Sequence, residues 1–139
     1  MTEDSNSDTR TEHVFVLYGS QTGNAEQAAE DFSKKIQAKF TPKYFKDLDL
    51  DPVSVETTCI SLDDFLEYRH AAFTKTIVIF VSSYGVGQAP MGSQKFRVFA
   101  EELMTQTESG KSSKTLLKGL NYAVCGLGEC YCSGCCYCC

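Results

Sequence analysis

Apolar and polar positions along the 139 residues fall into blocks that are alternately strand-sized and helix-sized. Residues 13–18 form a short run rich in Val and aromatics, which predicts a buried strand. Gly, Ser, Thr and Asn interrupt it over residues 20–24. Apolar residues then recur at Ala25, Ala28, Ala29, Phe32, Ile36 and Phe40, one face of a helix. On its wet side, Glu30 with Lys34 and Asp31 with Lys35 stand four apart, a spacing that stabilises a helix by about 0.3 kcal/mol per pair.

Residues 41–52 read as a connection with two prolines. Val53, Val55, Thr57 and Cys59 alternate with polar neighbours, predicting a half-exposed edge strand. Ser61 with Asp64 resembles a capping box, opening a helix with Leu62, Phe65, Leu66 and Phe73 on its inner face. Residues 76–81 are apolar except at their start, as in a central parallel strand covered on both faces. A Gly-rich stretch over 82–93 leads to a helix with Phe96, Phe99, Ala100 and Leu103 inward, then a polar loop over 105–115. Residues 121–125 form a last short strand that enters Gly126-Leu127-Gly128.

Strands alternating with helices predict an α/β doubly wound parallel sheet with right-handed crossovers. The alternating second strand and the apolar first and third suit the spatial order 2-1-3-4. In such sheets ligands bind beyond the carboxyl ends of the strands, where the strand order reverses between the first and third. All three Gly-containing loops leave carboxyl ends of strands.

Length and composition narrow the class. At 139 residues and 42% hydrophobic, the chain is one globular domain and not a two-domain enzyme. The net charge of −5 argues against a nucleic-acid groove, which needs clustered Lys and Arg. The longest apolar run is strand-sized, far short of the roughly 20 residues that span a bilayer. Residues 1–12 are polar, lack the core of a secretory signal, and read as a disordered arm. A cytoplasmic protein is expected.

The first loop, Gly19-Ser20-Gln21-Thr22-Gly23-Asn24-Ala25, places hydroxyls and backbone N–H groups at a helix start whose dipole favours an anion. It has no Lys or Arg, so it suits one phosphate rather than a metal-bound triphosphate, and it matches neither the Walker motif nor the three-glycine dinucleotide fingerprint. An ordinary capped turn is the alternative. In the second loop, residues 82–90, Tyr84 precedes a glycine whose peptide can reorient cheaply. It can stack on a flat heterocycle or simply pack on its own loop. The third, Cys125-Gly126-Leu127-Gly128-Glu129, is generic by itself.

Taken together, Tyr-Gly-Ser-Gln-Thr-Gly-Asn-Ala at 18–25, Ser-Ser-Tyr-Gly-Val-Gly at 82–87 and Tyr-Ala-Val-Cys-Gly-Leu-Gly-Glu at 122–129 resemble the flavodoxin family. Within it, they resemble the FMN-binding domains of diflavin reductases of the NADPH–cytochrome P450 reductase type. The resemblance covers residues 13–129 and implies a flavodoxin-like fold. It implies that Ser20, Gln21, Thr22, Gly23, Asn24 and Ala25 hold the FMN phosphate. It further implies that Ser83, Tyr84, Gly85, Val86 and Gly87 run along the isoalloxazine, with Tyr84 stacked on it. Gly126, Leu127, Gly128 and Glu129 would begin the loop on the ring's other side. The implied activity is electron transfer between a reductase and an acceptor protein, with no acid–base residue. A site poor in cations gives the second electron a low potential. Val86 and Gln88 stand where the family carries acids, and the chain is expected to lack the family's fifth strand and last helix, which would leave the fourth strand as an unpaired edge.

Eight cysteines are unevenly placed. Cys59 and Cys125 sit in apolar strands and read as reduced core residues; the other six crowd into residues 130–139. That tail is open to three readings: a soft-metal cluster of thiolates, a palmitoylation site, or a frame or splice change after Glu129. His13, ahead of the first strand, and His70, in the second helix, have no assigned role. Acids such as Asp47, Asp49, Asp51, Asp63, Asp64, Glu67, Glu101 and Glu102 are a solvated face or a docking surface for a redox partner. The rival functions are a flavodoxin-like binding module without FMN and a soft-metal protein acting through its tail.

Overall fold

A computed structural model describes residues 9–68, 75–83, 88–108 and 119–127. Four strands, β1 (Arg10–Gly19), β2 (Val53–Ser61), β3 (Thr76–Ser82) and β4 (Asn121–Leu127), form one parallel sheet in the order β2-β1-β3-β4. The helices are α1 (Asn24–Lys39), α2 (Pro42–Asp47), α3 (Leu62–Phe65), which runs into a 3-10 turn at Leu66–Tyr68, and α4 (Gln94–Glu108). This is the flavodoxin-like α/β fold with the expected strand order.

Side chains alternate across the sheet, so β1 supplies both cores. Val16 meets Ala25 and Ala29 of α1 and Phe80 of β3 on one face. Phe15 and Leu17 meet Leu62, Phe65 and Ile77 on the other, with Phe96 and Phe99 of α4 packed against them. The small residues at Ala25 and Ala29, both fully buried, let α1 lie close to the sheet. Buried Ser33 on α1 joins Thr57 on β2 through a hydroxyl pair 2.6 Å apart.

Several boundaries and placements differ from the sequence reading. β1 begins at Arg10, so the arm expected over 1–12 loses its last three residues, which pair with Val53–Val55 of β2. His13 therefore lies within β1, where its Nε2 is 2.7 Å from Thr58 Oγ1. The connection over 41–52 contains α2, capped by the Thr41 hydroxyl, which accepts the Tyr44 N–H. Within the described residues the second expected helix shows one α turn and one 3-10 turn; Phe73 and His70 lie outside the described residues. Both cysteines read as core residues in the sequence, but Cys59 is half-buried and Cys125 is exposed: among the described residues β4 is the last strand of the sheet order, and Tyr122 and Val124 beside it are also open to solvent.

Candidate functional site

Parallel pairing brings the loops together at one end of the sheet. Gly19 of β1 stands opposite Val81 of β3, and Val81 opposite Gly126 of β4, so the three strand ends form a single row. The Ser82 hydroxyl donates to the Gly19 carbonyl across it at 3.4 Å. β1 has β2 on one side and β3 on the other, so this row lies where the sheet order reverses.

The first loop then makes a tight turn. Gly23 takes φ +92°, a left-handed conformation costly for a residue with a β-carbon, and its N–H donates to Ser20 Oγ at 2.9 Å. Gly23 is the cap of α1, and among the described residues no side chain caps that helix. The shorter α2 and α3 do have side-chain caps, from Thr41 and Ser61. Among the described residues, then, no side chain accepts the first-turn N–H groups of this 16-residue helix, and nothing lies within 4 Å of where a Gly23 β-carbon would sit. Thr22 and Asn24 beside it are exposed; Ala25 is fully buried and offers only its backbone. Ser20 Oγ accepts from Gly23 and keeps its own hydrogen to donate. No Lys or Arg occurs in the loop. The one acid in the first turn, Glu26, interacts with the Tyr18 hydroxyl, whose pKa is raised by burial and by that carboxylate. This cradle fits a phosphate monoester held by hydrogen bonds and a helix dipole.

The segment following the second loop is laced to the first. The Ser20 N–H donates to the Met91 carbonyl and the Met91 N–H to Gln21 Oε1, both at 3.1 Å. Gln21's side-chain carbonyl is therefore engaged between the loops. The sequence reading missed Met91, Gly92 and Ser93 in this role; the signal was the Pro90-x-Gly-Ser turn ahead of α4. An open groove of about 680 Å³ runs between Gln21 and the Met91, Arg97 and Val98 side of α4. It is not the anion cradle, because Gln21 alone of the first loop lines it.

Of the remaining residues assigned by resemblance, Ser83 is exposed just past β3, and Gly126 and Leu127 close β4, with Leu127 packed on the α1 side. Tyr84, Gly85, Val86, Gly87, Gly128 and Glu129 lie outside the described residues, as does the tail over 130–139. Among the described residues no group of three or more His, Cys, Asp or Glu is arranged to hold a metal, and no helix is long and apolar enough to cross a membrane. The Cys59 thiol is pushed up to about 11, first by burial and then by the carboxylates of Glu30 and Glu26.

Comparison with known proteins agrees with this geometry. Residues 16–139 match the flavodoxin family. The NADPH–cytochrome P450 reductase of Saccharomyces cerevisiae is 31% identical over 118 residues, covering 84% of this chain and 14% of the reductase. An NADPH-dependent diflavin oxidoreductase 1 of Aspergillus fumigatus is 30% identical over 129 residues, 93% of this chain and 18% of that protein. The tRNA 4-demethylwyosine synthase TYW1 of Danio rerio is 34% identical over 120 residues, 84% of this chain and 14% of that protein. The chain thus spans less than a fifth of each of these relatives. With a parallel 2-1-3-4 sheet and this match over most of its length, the chain belongs to the flavodoxin family.

Proposed function

We propose that this domain binds FMN and passes electrons between a reductase module and an acceptor protein. The observation that carries the reading is the uncapped first turn of α1, flanked by the hydroxyls of Ser20 and Thr22 at the switch point of the sheet. Backbone N–H groups of Asn24 and Ala25, with the Ser20 and Thr22 hydroxyls and the Asn24 amide, would hold the phosphate. Ser83 at the end of β3 and Gly126-Leu127 at the end of β4 flank the space towards which the ring would extend. The resemblance adds Tyr84, Gly85, Val86, Gly87, Gly128 and Glu129 to the ring's surroundings. Bound flavin supplies the one-electron chemistry. The chain's part is to grip the phosphate with a first loop that contains no Lys or Arg, so that this loop adds no positive charge to favour the reduced anion.

The relatives named as reductases and as a tRNA-modifying enzyme share this module at similar identity. The identity of the acceptor is therefore a property of what the module is paired with. The test is a visible spectrum: the full chain, incubated with FMN and desalted, should keep a flavin band in the region of about 370–460 nm. Colourless protein with free FMN in the wash contradicts the proposal.

A further inference from the structure

We propose that Asp63 is a positioning residue for the phosphate loop, acting through the turn at Met91-Gly92 although it lies outside all three loops. The inference rests on the FMN reading for its consequence and on hydrogen-bond geometry for its mechanism. α4 does not cap itself. Ser93, the residue ahead of it, accepts the Arg97 N–H on its carbonyl, but its hydroxyl donates back to the Pro90 carbonyl at 2.8 Å. The capping acceptor comes from α3 instead: Asp63 Oδ1 takes the Phe96 N–H at 2.9 Å, 33 residues away in sequence. The Asp63 backbone N–H also donates to the Gly92 carbonyl at 2.8 Å. Gly92 sits so close to this clamp that a β-carbon there would lie 3.3 Å from Ser61 Cβ.

On the opposite side of the same turn, Met91 bonds both Ser20 and Gln21. Asp63 thus holds the first turn of α4 with its side chain and Gly92 with its main chain, and one peptide bond joins Gly92 to Met91, which hydrogen-bonds the first loop. Removing the carboxylate leaves the Phe96 N–H without its acceptor and loosens the first turn of α4, into which the Met91-Gly92 turn leads, while the main-chain bond from Asp63 to Gly92 remains. The Ser20–Gly23 donors then lose their fixed spacing, on which binding of a tetrahedral phosphate depends.

Two physical effects of Asp63 have opposite signs. As a mere negative charge it opposes an anionic ligand, so Asp63→Ala would tighten FMN. As a positioning group it holds the loop, so the same change weakens FMN. The experiment measures FMN and riboflavin affinity by flavin fluorescence quenching in the full chain, with amide exchange at Ser20, Met91 and Phe96 in the flavin-free protein. Asp63→Ala is expected to weaken FMN roughly tenfold, to leave riboflavin unchanged, and to speed exchange at all three amides. Asp63→Asn keeps a carbonyl acceptor and should return FMN affinity to within about threefold of wild type. Should the alanine variant not fold, Asp63→Glu replaces it. Its carboxylate is carried one methylene too far, so the same loss is expected for Glu and not for Asn. FMN affinity equal to or tighter than wild type in the Ala or Glu variant overturns the inference, as does equal loss for FMN and riboflavin. If wild type itself fails to bind FMN, the functional reading falls. Exchange then decides the relay alone: unchanged rates at Ser20 and Met91 overturn it.

Discussion

Gly19 and Ser93 approach so closely that a β-carbon added to Gly19 would lie 2.9 Å from Ser93 Cβ. The end of β1 and the start of α4 are in contact there, and the phosphate loop departs from that contact. Pro90 Cγ, 3.3 Å from the same point, closes the other side. Neither neighbour can retreat easily, since the Ser93 N–H and hydroxyl both bond the Pro90 carbonyl. Gly19→Ala should destabilise the fold by about 1–3 kcal/mol and weaken FMN together with it. Ser93→Gly in the same chain should recover most of the loss, because it removes the clashing atom. Urea unfolding of the single and double variants measures both, and an additive double variant contradicts the steric account.

Thr22 is exposed beside the uncapped helix start. Its replacement by Val keeps the shape and removes the hydroxyl. Stability should change by less than about 0.5 kcal/mol, as at other surface sites. FMN affinity should fall roughly tenfold, the cost of one hydrogen bond to a charged oxygen, while riboflavin affinity stays the same. Fluorescence quenching with the two ligands reads the difference.

The Ser33–Thr57 hydroxyl pair ties α1 to the edge strand, with Ser33 buried. Ser33→Ala strands the Thr57 hydroxyl in a half-buried position, at a cost of about 1–2 kcal/mol. Ser33→Ala with Thr57→Val removes both partners and should be closer to wild type than the single change. Chemical denaturation of the three variants checks this, and a double variant less stable than the single one contradicts it.

Cys59 gives a pH dependence with a definite sign. Burial and the neighbouring Glu30 and Glu26 raise the thiol from its usual value near 9 to about 11, so folding favours the protonated form. Its contribution to stability is fully present below the unfolded value and is lost as pH rises from about 9 through about 11. Cys59→Ala should flatten the fall in stability across that window, relative to wild type. The same protonation keeps Cys59 unreactive towards alkylating reagents at about pH 8 while exposed Cys125 labels. An unchanged alkaline slope in the variant contradicts the assignment.

Much of the architecture was legible because apolar period and chain order are local signals. The strand order followed from the alternation at Val53–Cys59 and the apolar run at 76–81, and α1 from its inward alanines. What escaped was non-local or main-chain in origin. Arg10–Glu12 have no apolar side chains, yet extend β1 through pairing with β2. The six-residue α2 was announced only by Thr41-Pro42, a cap and a proline suited to a first turn. Cys125 looked like core because its strand is apolar, but it is exposed on β4, the last strand of the sheet order among the described residues. Asp63 looked like a surface acid, since nothing near it in sequence reveals that it caps a helix 33 residues later. At the site itself, the sequence placed the hydroxyls and glycines of the first loop at the start of α1, where the structure also has them. That its helix is left without a side-chain cap, and that Met91 laces it to the next loop, required the fold.

The central claim is that the uncapped entrance of α1 grips a phosphate ester, and a paired titration of the wild-type chain addresses it most directly. Flavin fluorescence is followed as protein is added to FMN and, separately, to riboflavin, which carries the same ring without the phosphate. The account predicts that FMN binds at least about tenfold more tightly. Equal affinities, or no quenching of either flavin, contradict it.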